Sequence, residues 1–126
     1  MIDRLDHLVL TVADLGRTLD FYVRGLGLTE QRFENGRVAL LFGQHKLNLH
    51  EAGGEPILPR AARPTSGSAD FCLIADRPMD RVIELLRERA IPIELGPVAR
   101  TGASGPIRSV YLRDPDDNLV EIAEYV

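Results

Sequence analysis

Polar side chains with ligating or acid–base chemistry interrupt otherwise apolar runs at several points. They are His7 before Leu8-Val9-Leu10, Asn48 and His50 alternating with Leu47 and Leu49, Asp70 before Phe71-Cys72-Leu73, and Glu121 between Val120 and Ile122. Successive side chains of a strand point to opposite faces. Leu8, Leu10 and Val12 therefore share one face and leave His7, Val9 and Thr11 on the other. Phe71, Leu73 and Ala75 oppose Asp70, Cys72 and Ile74, while Val120 and Ile122 oppose Glu121 and Ala123. This places His7, Asp70, Glu121 and either Asn48 or His50 on one sheet face. A mixed nitrogen and oxygen set suits Mn, Fe, Co, Ni or Zn better than a thiolate-seeking metal. Each residue also has a plainer explanation: a hydrogen-bonded histidine, a strand-start aspartate, a solvent-facing glutamate. An inward glutamate in an apolar strand, however, requires a charge or proton partner.

A second polar group lies at Val98–Arg108, where Arg100, Thr101, Ser104 and Arg108 are interspersed with Gly102, Gly105 and Pro106. Read as a mobile, positively charged flap, it could hold a carboxylate or phosphate through Arg100, Thr101 and Arg108. Asp114-Pro115-Asp116-Asp117 has the wrong spacing for a calcium loop and reads as a turn. Cys72 reads as a buried small hydrophobe.

The elements that must position these residues occur in the same order twice. Asp6–Val12 is a strand candidate, Asp14 a helix N-cap, and Leu15, Thr18, Leu19 and Tyr22 recur at helical spacing before Gly25 and Gly27. Leu28–Phe33 and Arg37–Phe42 flank Asn35-Gly36, a hairpin signal, and Leu47–Glu51 follows. The second half repeats the order. Asp70–Ala75 is a strand; Asp76 and Pro78 open a helix with Met79, Val82, Ile83 and Leu86 on its apolar face; Ile91–Leu95, Ile107–Arg113 and Asn118–Glu124 are strands. The expected organisation is module one over 1–52, a proline- and glycine-bearing linker over 53–67, and module two over 68–126. Each half is too small to cover its own sheet, so the pair is expected to share a core.

With 44% hydrophobic and 27% charged residues, the 126-residue chain has the balance of a single globular domain. A net charge of −4 without a basic stripe, and few aromatics, argue against a nucleic-acid partner. No apolar span suggests a signal or membrane helix, and one cysteine suits a reducing, cytoplasmic compartment.

Asp6-His7-Leu8-Val9-Leu10, Asp20-Phe21-Tyr22, Gly25-Leu26-Gly27-Leu28, and Arg113-Asp114-Pro115-Asp116 with Asn118-Leu119-Val120-Glu121 together resemble the vicinal oxygen chelate superfamily. That superfamily includes glyoxalase I, fosfomycin-resistance proteins, extradiol dioxygenases and bleomycin-binding proteins. Lys46–Glu51, Gly96-Pro97-Val98 and Arg100-Thr101-Gly102-Ala103 with Gly105-Pro106-Ile107 look, more narrowly, like glyoxalase-domain-containing protein 5 and bacterial relatives labelled virulence proteins. The resemblance implies an α+β fold of two β-α-β-β-β modules sharing one curved mixed sheet around a small-molecule cavity, in a homodimer. It implies a divalent metal ion held by His7 and Glu121, the positions that match the superfamily pattern. Asp70 stands where histidine is common, and Asn48 where glutamate or histidine is common, with His50 two residues on. The expected activity is a metal-dependent lyase or isomerase acting on a small oxygen-rich or anionic metabolite, with Glu121 and Asp70 as catalytic groups. A metal-free small-molecule binding or resistance protein is the alternative, and an extradiol-type dioxygenase, which needs two histidines and a carboxylate, is third.

Overall fold

The leucine- and valine-rich segment His7–Val12 forms β1, and Asp14 then turns the chain into a helix by accepting a hydrogen bond from the Arg17 amide at 2.9 Å. Helix α1 (Leu15–Leu19) widens into a π-helical turn over Asp20–Gly25, and Gly27, at φ +81°, delivers the chain to β2 (Thr29–Phe33). Glu34, Asn35 and Gly36 all have positive φ and close the hairpin to β3 (Arg37–Phe42), so that Phe33 pairs with Arg37. Strand β4 (His45–Glu51) pairs antiparallel with β3 and parallel with β1, giving the order β1-β4-β3-β2.

Module two follows the same plan with β5 (Asp70–Ile74), α2 (Met79–Glu88), β6 (Leu95–Gly102), β7 (Gly105–Arg113) and β8 (Leu119–Tyr125), in the order β5-β8-β7-β6. The computed structural model describes residues 1–126, which divide into two compact units, Met1–Ser68 and Ala69–Val126.

The expected single curved sheet is corrected by this topology. The strands form two separate four-stranded mixed sheets, one per module. β1 is hydrogen-bonded only to β4 and β5 only to β8, so every ladder is completed inside its own module and none crosses between them. The β-α-β-β-β order itself is present in each module.

Each sheet gathers most of its large apolar side chains on the helix side, although Ala39, Asn48, Ile107, Ser109 and Ala123 on the other faces are buried too. Leu10, Val12, Val38, Leu40, Leu47 and Leu49 are buried on the face of module one where Glu51 Oε2 accepts the Leu15 amide of α1 at 3.0 Å. Val110, Leu112, Val120 and Ile122 are buried on the corresponding face of module two, where Glu124 Oε2 accepts the Met79 amide of α2 at 2.9 Å. In both modules a glutamate near the end of the last strand thus satisfies an amide at the helix start, where the helix dipole also favours negative charge. No helix is long and apolar enough to cross a membrane.

Candidate functional site

The face of module two opposite α2 carries a cavity of about 390 Å³. Register explains its lining. Cys72, Glu121, Tyr111 and Leu95 form one row across β5, β8, β7 and β6, and Asp70 and Leu119 begin the neighbouring row. Arg100 approaches from β6 and Glu94 from the residue before it. A register shift between Leu95 and Val98 makes this geometry possible. At its centre Gly96 has φ +114°, and a Cβ there would lie 2.5 Å from the Ser109 carbonyl oxygen. Only glycine accommodates both constraints.

Glu121 is half-buried, and its Oε2 accepts a 2.6 Å hydrogen bond from the hydroxyl of the buried Ser109. That bond supplies the proton partner that an inward glutamate in an apolar strand requires. Cys72 is exposed at this face, not the buried small hydrophobe expected, yet partial desolvation, then the negative charge and hydrogen bonding of Glu121, pushes its thiol up to about 11. At neutral pH Cys72 is thus a protonated thiol beside the carboxylate and a poor nucleophile. Arg100 Nε donates to Tyr111 Oη at 3.0 Å, and its guanidinium lies 5.5 Å from the centre of the Tyr111 ring. Arg100 Nη1 donates to the Ala99 carbonyl, which fixes the head over the ring. Since Tyr111 Oη accepts from Arg100, its own proton is directed elsewhere. Glu94 receives Arg113 Nε and Nη2 at 3.0 and 3.1 Å, and this pairing holds its carboxyl below the usual carboxylate range.

Among the residues singled out from sequence, Asp70, Glu121 and Arg100 meet at this cavity. Thr101, the next residue along β6, falls on the opposite face by alternation. Arg108 also belongs to the α2 side, where Nη1 reaches Asp80 at 3.2 Å and Glu124 at 3.9 Å, so its charge is engaged away from the cavity. The expected flap is an ordered hairpin: β6 and β7 pair from Val98–Ser109 to Gly102–Gly105.

His7, Asn48 and His50 belong to module one, on its face opposite α1. His7 is exposed, and its Nδ1 pairs with Asp6 Oδ1 at 2.8 Å, a contact that holds the Asp6 carboxyl low. Asn48 is buried. His50 is half-buried and has its pKa lowered, first by burial and then by the nearby Arg37 charge. No three His, Cys, Asp or Glu side chains converge within either module to hold a metal ion. The donor set of one module alone therefore does not fit a divalent centre.

Tyr111 and Glu94 are cavity residues that the sequence reading missed. Tyr111 was within reach of the same alternation that found Glu121, because it lies between the buried Val110 and Leu112 and pairs with Glu121.

Comparison with known proteins places this geometry in context. The family model described as the glyoxalase/bleomycin resistance protein/dioxygenase superfamily matches residues 4–122. A Salmonella typhimurium virulence protein is 50% identical over the whole chain and 87% of its own length. Its crystal structure matches with a TM-score of 0.97, covering 100% of this chain and 99% of that one. A glyoxalase domain-containing protein of Mycosarcoma maydis is 47% identical over 96% of this chain and 68% of its own length. An integron cassette protein from the mobile metagenome of V. cholerae is 46% identical, with a TM-score of 0.96 over 100% of this chain and 98% of that one.

Proposed function

Since the chain belongs to the glyoxalase/bleomycin resistance protein/dioxygenase superfamily, we propose that it is a small-molecule binding protein whose module-two cavity takes a neutral or amine-bearing, oxygen-rich metabolite. The observation that carries this reading is the arrangement of Glu121, Tyr111 and Arg100 at the cavity. The Tyr111 hydroxyl proton is free to meet a ligand oxygen. Glu121 Oε1, not engaged by Ser109, accepts a hydroxyl or ammonium hydrogen. Leu95 and Leu119 supply apolar contact, in keeping with small-molecule sites that combine apolar walls with a few placed polar groups. Asp70, Glu94 and Glu121 outnumber Arg100 in the lining, and Glu94 already occupies Arg113. An anion would face this acidic surround with one guanidinium to hold it, so the expected anionic class is disfavoured here.

Calorimetric titration of the parent with small polyols, amino alcohols and carboxylates tests the reading. The first two classes should bind. Glu121→Gln should weaken an amine-bearing ligand by about 1.5–3 kcal/mol and Tyr111→Phe should cost about 1 kcal/mol. Binding confined to carboxylates, or variants indistinguishable from the parent, would overturn it.

Metal-dependent lyase or isomerase chemistry is a second reading, supported by superfamily membership and by the half-buried Glu121 carboxylate. A bound divalent ion would supply Lewis-acid stabilisation of charge developing on substrate oxygens. It predicts that Mn, Fe, Co, Ni or Zn is retained stoichiometrically by the parent and lost from the double variant His7→Ala, Glu121→Ala. Equal metal content in both removes it. The extradiol dioxygenase reading needs two histidines and a carboxylate together, which neither module assembles. We take the protein to act as a homodimer, as the family resemblance implies, in the reducing, cytoplasmic compartment that its single cysteine suits.

A further inference from the structure

Arg113, the last residue of β7, completes the row that Asp70 and Leu119 begin. Leu119 pairs with Asp70 of β5 on one side and with Arg113 on the other. Arg113 follows Tyr111 at strand alternation, so its side chain leaves the sheet on the cavity side. A guanidinium at this place would ordinarily add positive charge to the cavity rim. Its head is turned instead onto Glu94, whose two carboxylate oxygens accept from Nε at 3.0 Å and Nη2 at 3.1 Å. Nη1 donates to the Asp117 carbonyl at 3.1 Å, which fixes the fork from the other side.

The backbone brings Glu94 to meet it. Glu94 stands just before β6, and its amide donates to the Tyr111 carbonyl at 2.8 Å. Glu94 is a lining residue of the cavity and Arg113 is not. A hydrogen bond to Glu94, and the charges of Glu94, Asp117 and Asp70, all favour the cationic form of Arg113. With side chains 45% and 51% exposed, the pair contributes little to stability. Its two-pronged geometry nevertheless fixes direction. What the pair changes is the charge that a ligand meets.

We propose that Glu94 and Arg113 decide which charge class the module-two cavity admits: Glu94 masks Arg113, and without the mask the rim would take a small oxyanion, a carboxylate or phosphate. The proposal rests on the reading of this cavity as a small-molecule binding site. A carboxylate tethered beside Arg113 competes with any free anion at high effective concentration. Arg100 cannot substitute, because its head is engaged by Tyr111 and the Ala99 carbonyl. An entering anion is thus left beside Asp70 and Glu121 without a fork of its own, while a hydroxyl or ammonium group loses nothing. Selectivity here comes from denying the wrong ligand its partner.

A double-mutant cycle on the whole chain, titrated with inorganic phosphate by calorimetry, tests the mask. Glu94→Gln keeps the side chain's size and removes its charge. It should tighten phosphate binding by roughly tenfold, as expected when a charge-assisted bidentate contact becomes available. In an Arg113→Gln background the same change should give less than about a threefold gain, since only a screened surface charge is lost. Arg113→Lys, which keeps the charge and loses the fork, should retain part of the gain. Glycerol, a neutral probe, should respond alike in all variants; a merely structural pair would weaken both probes together.

No gain of phosphate affinity in Glu94→Gln, or a gain that persists undiminished in the Arg113→Gln background, would overturn the proposal. The phosphate cycle does not require the parent to bind a polyol or an amino alcohol. A parent that binds neither, with a gain that still depends on Arg113, would remove the functional reading and leave the mask standing. A parent that binds both, with no such gain, would do the reverse.

Discussion

Modules one and two place different side chains at the same points of one ladder plan. Asn48 lies between Val9 and Ala39 in its sheet, and Glu121 lies between Cys72 and Tyr111 in the other. Both occupy the last strand of their module, flanked by the first and the third. In module one the equivalent surroundings are an alanine and a valine with cations nearby; in module two they are a thiol, a phenol and further carboxylates. The hidden faces, by contrast, use the same solution in both, down to the glutamate that receives an amide at the helix start. Shared architecture therefore constrains the buried side and leaves the open side free to diverge, which is why fold membership alone does not specify chemistry.

Substitutions that affect one module without an equivalent in the other test this contrast. The largest effect is expected at Gly96, which has no counterpart in module one. Gly96→Ala must relieve a 2.5 Å contact with the Ser109 carbonyl and a φ of +114°. A loss of about 3 kcal/mol in chemical denaturation, accompanied by loss of cavity ligand binding, is the expected outcome. A change below about 1 kcal/mol would mean that the register shift is not needed.

Next come the two glutamates on the hidden faces. Glu51→Ala and Glu124→Ala should each destabilise by about 1 kcal/mol, within the range for removing a side-chain cap. Urea midpoints for the two variants should fall together. A silent Glu51 beside a costly Glu124 would show that the common device is not used equally.

A smaller effect is expected at Cys72. Its thiol is pushed up to about 11, first by partial desolvation and then by the charge of Glu121. Thiolate absorbance near 240 nm should therefore appear only well above pH 9. Glu121→Gln should move that titration downward without returning it to the ordinary value, since partial desolvation remains. The folded chain holds this proton more tightly than the unfolded chain, so the thiol's contribution to stability is present below the ordinary thiol pKa and is lost as pH rises toward 11. A thiol that titrates at its ordinary value in the parent would refute the placement of Cys72 against Glu121.

The smallest effect belongs to Arg108→Ala. Its partners Asp80 and Glu124 are on the α2 side and the arginine side chain is 39% exposed, so stability should change by less than about 1 kcal/mol and cavity binding should not change. A marked loss of ligand affinity would place Arg108 where the structure does not.

Much of this arrangement could be read from residue order. Asp14 before an amphipathic segment, Asn35-Gly36 between two apolar runs, and the alternation around Glu121 each carry a local physical reason for the element they form. The reading failed where local rules were overruled. Val98–Arg108 reads as a flap because prolines and glycines disrupt strands. Here Pro97 falls in the register shift and β6 is an edge strand, the two settings in which a sheet tolerates proline. The expected strand Ile91–Leu95 is replaced by β6 over Leu95–Gly102. Arg108 was assigned to the cavity by its place in that supposed loop, whereas two-residue periodicity in β7 turns it toward α2. The number of sheets was not legible at all, because which edges pair is decided by tertiary closure and not by any one strand's composition.

Lys46 bears on how the chain opens. It lies in β4, which is hydrogen-bonded on one side to β1 and on the other to β3. A protease that cuts only after lysine has a single substrate bond in this protein, Lys46–Leu47, and that bond is locked inside a sheet with Leu47 only 3% exposed. Lys46 pairs with His7, the first residue of β1, and lies one step from the β3–β4 turn, so this corner of the sheet must separate before the bond can enter a protease. The digestion rate would therefore gauge the opening of that corner of module one.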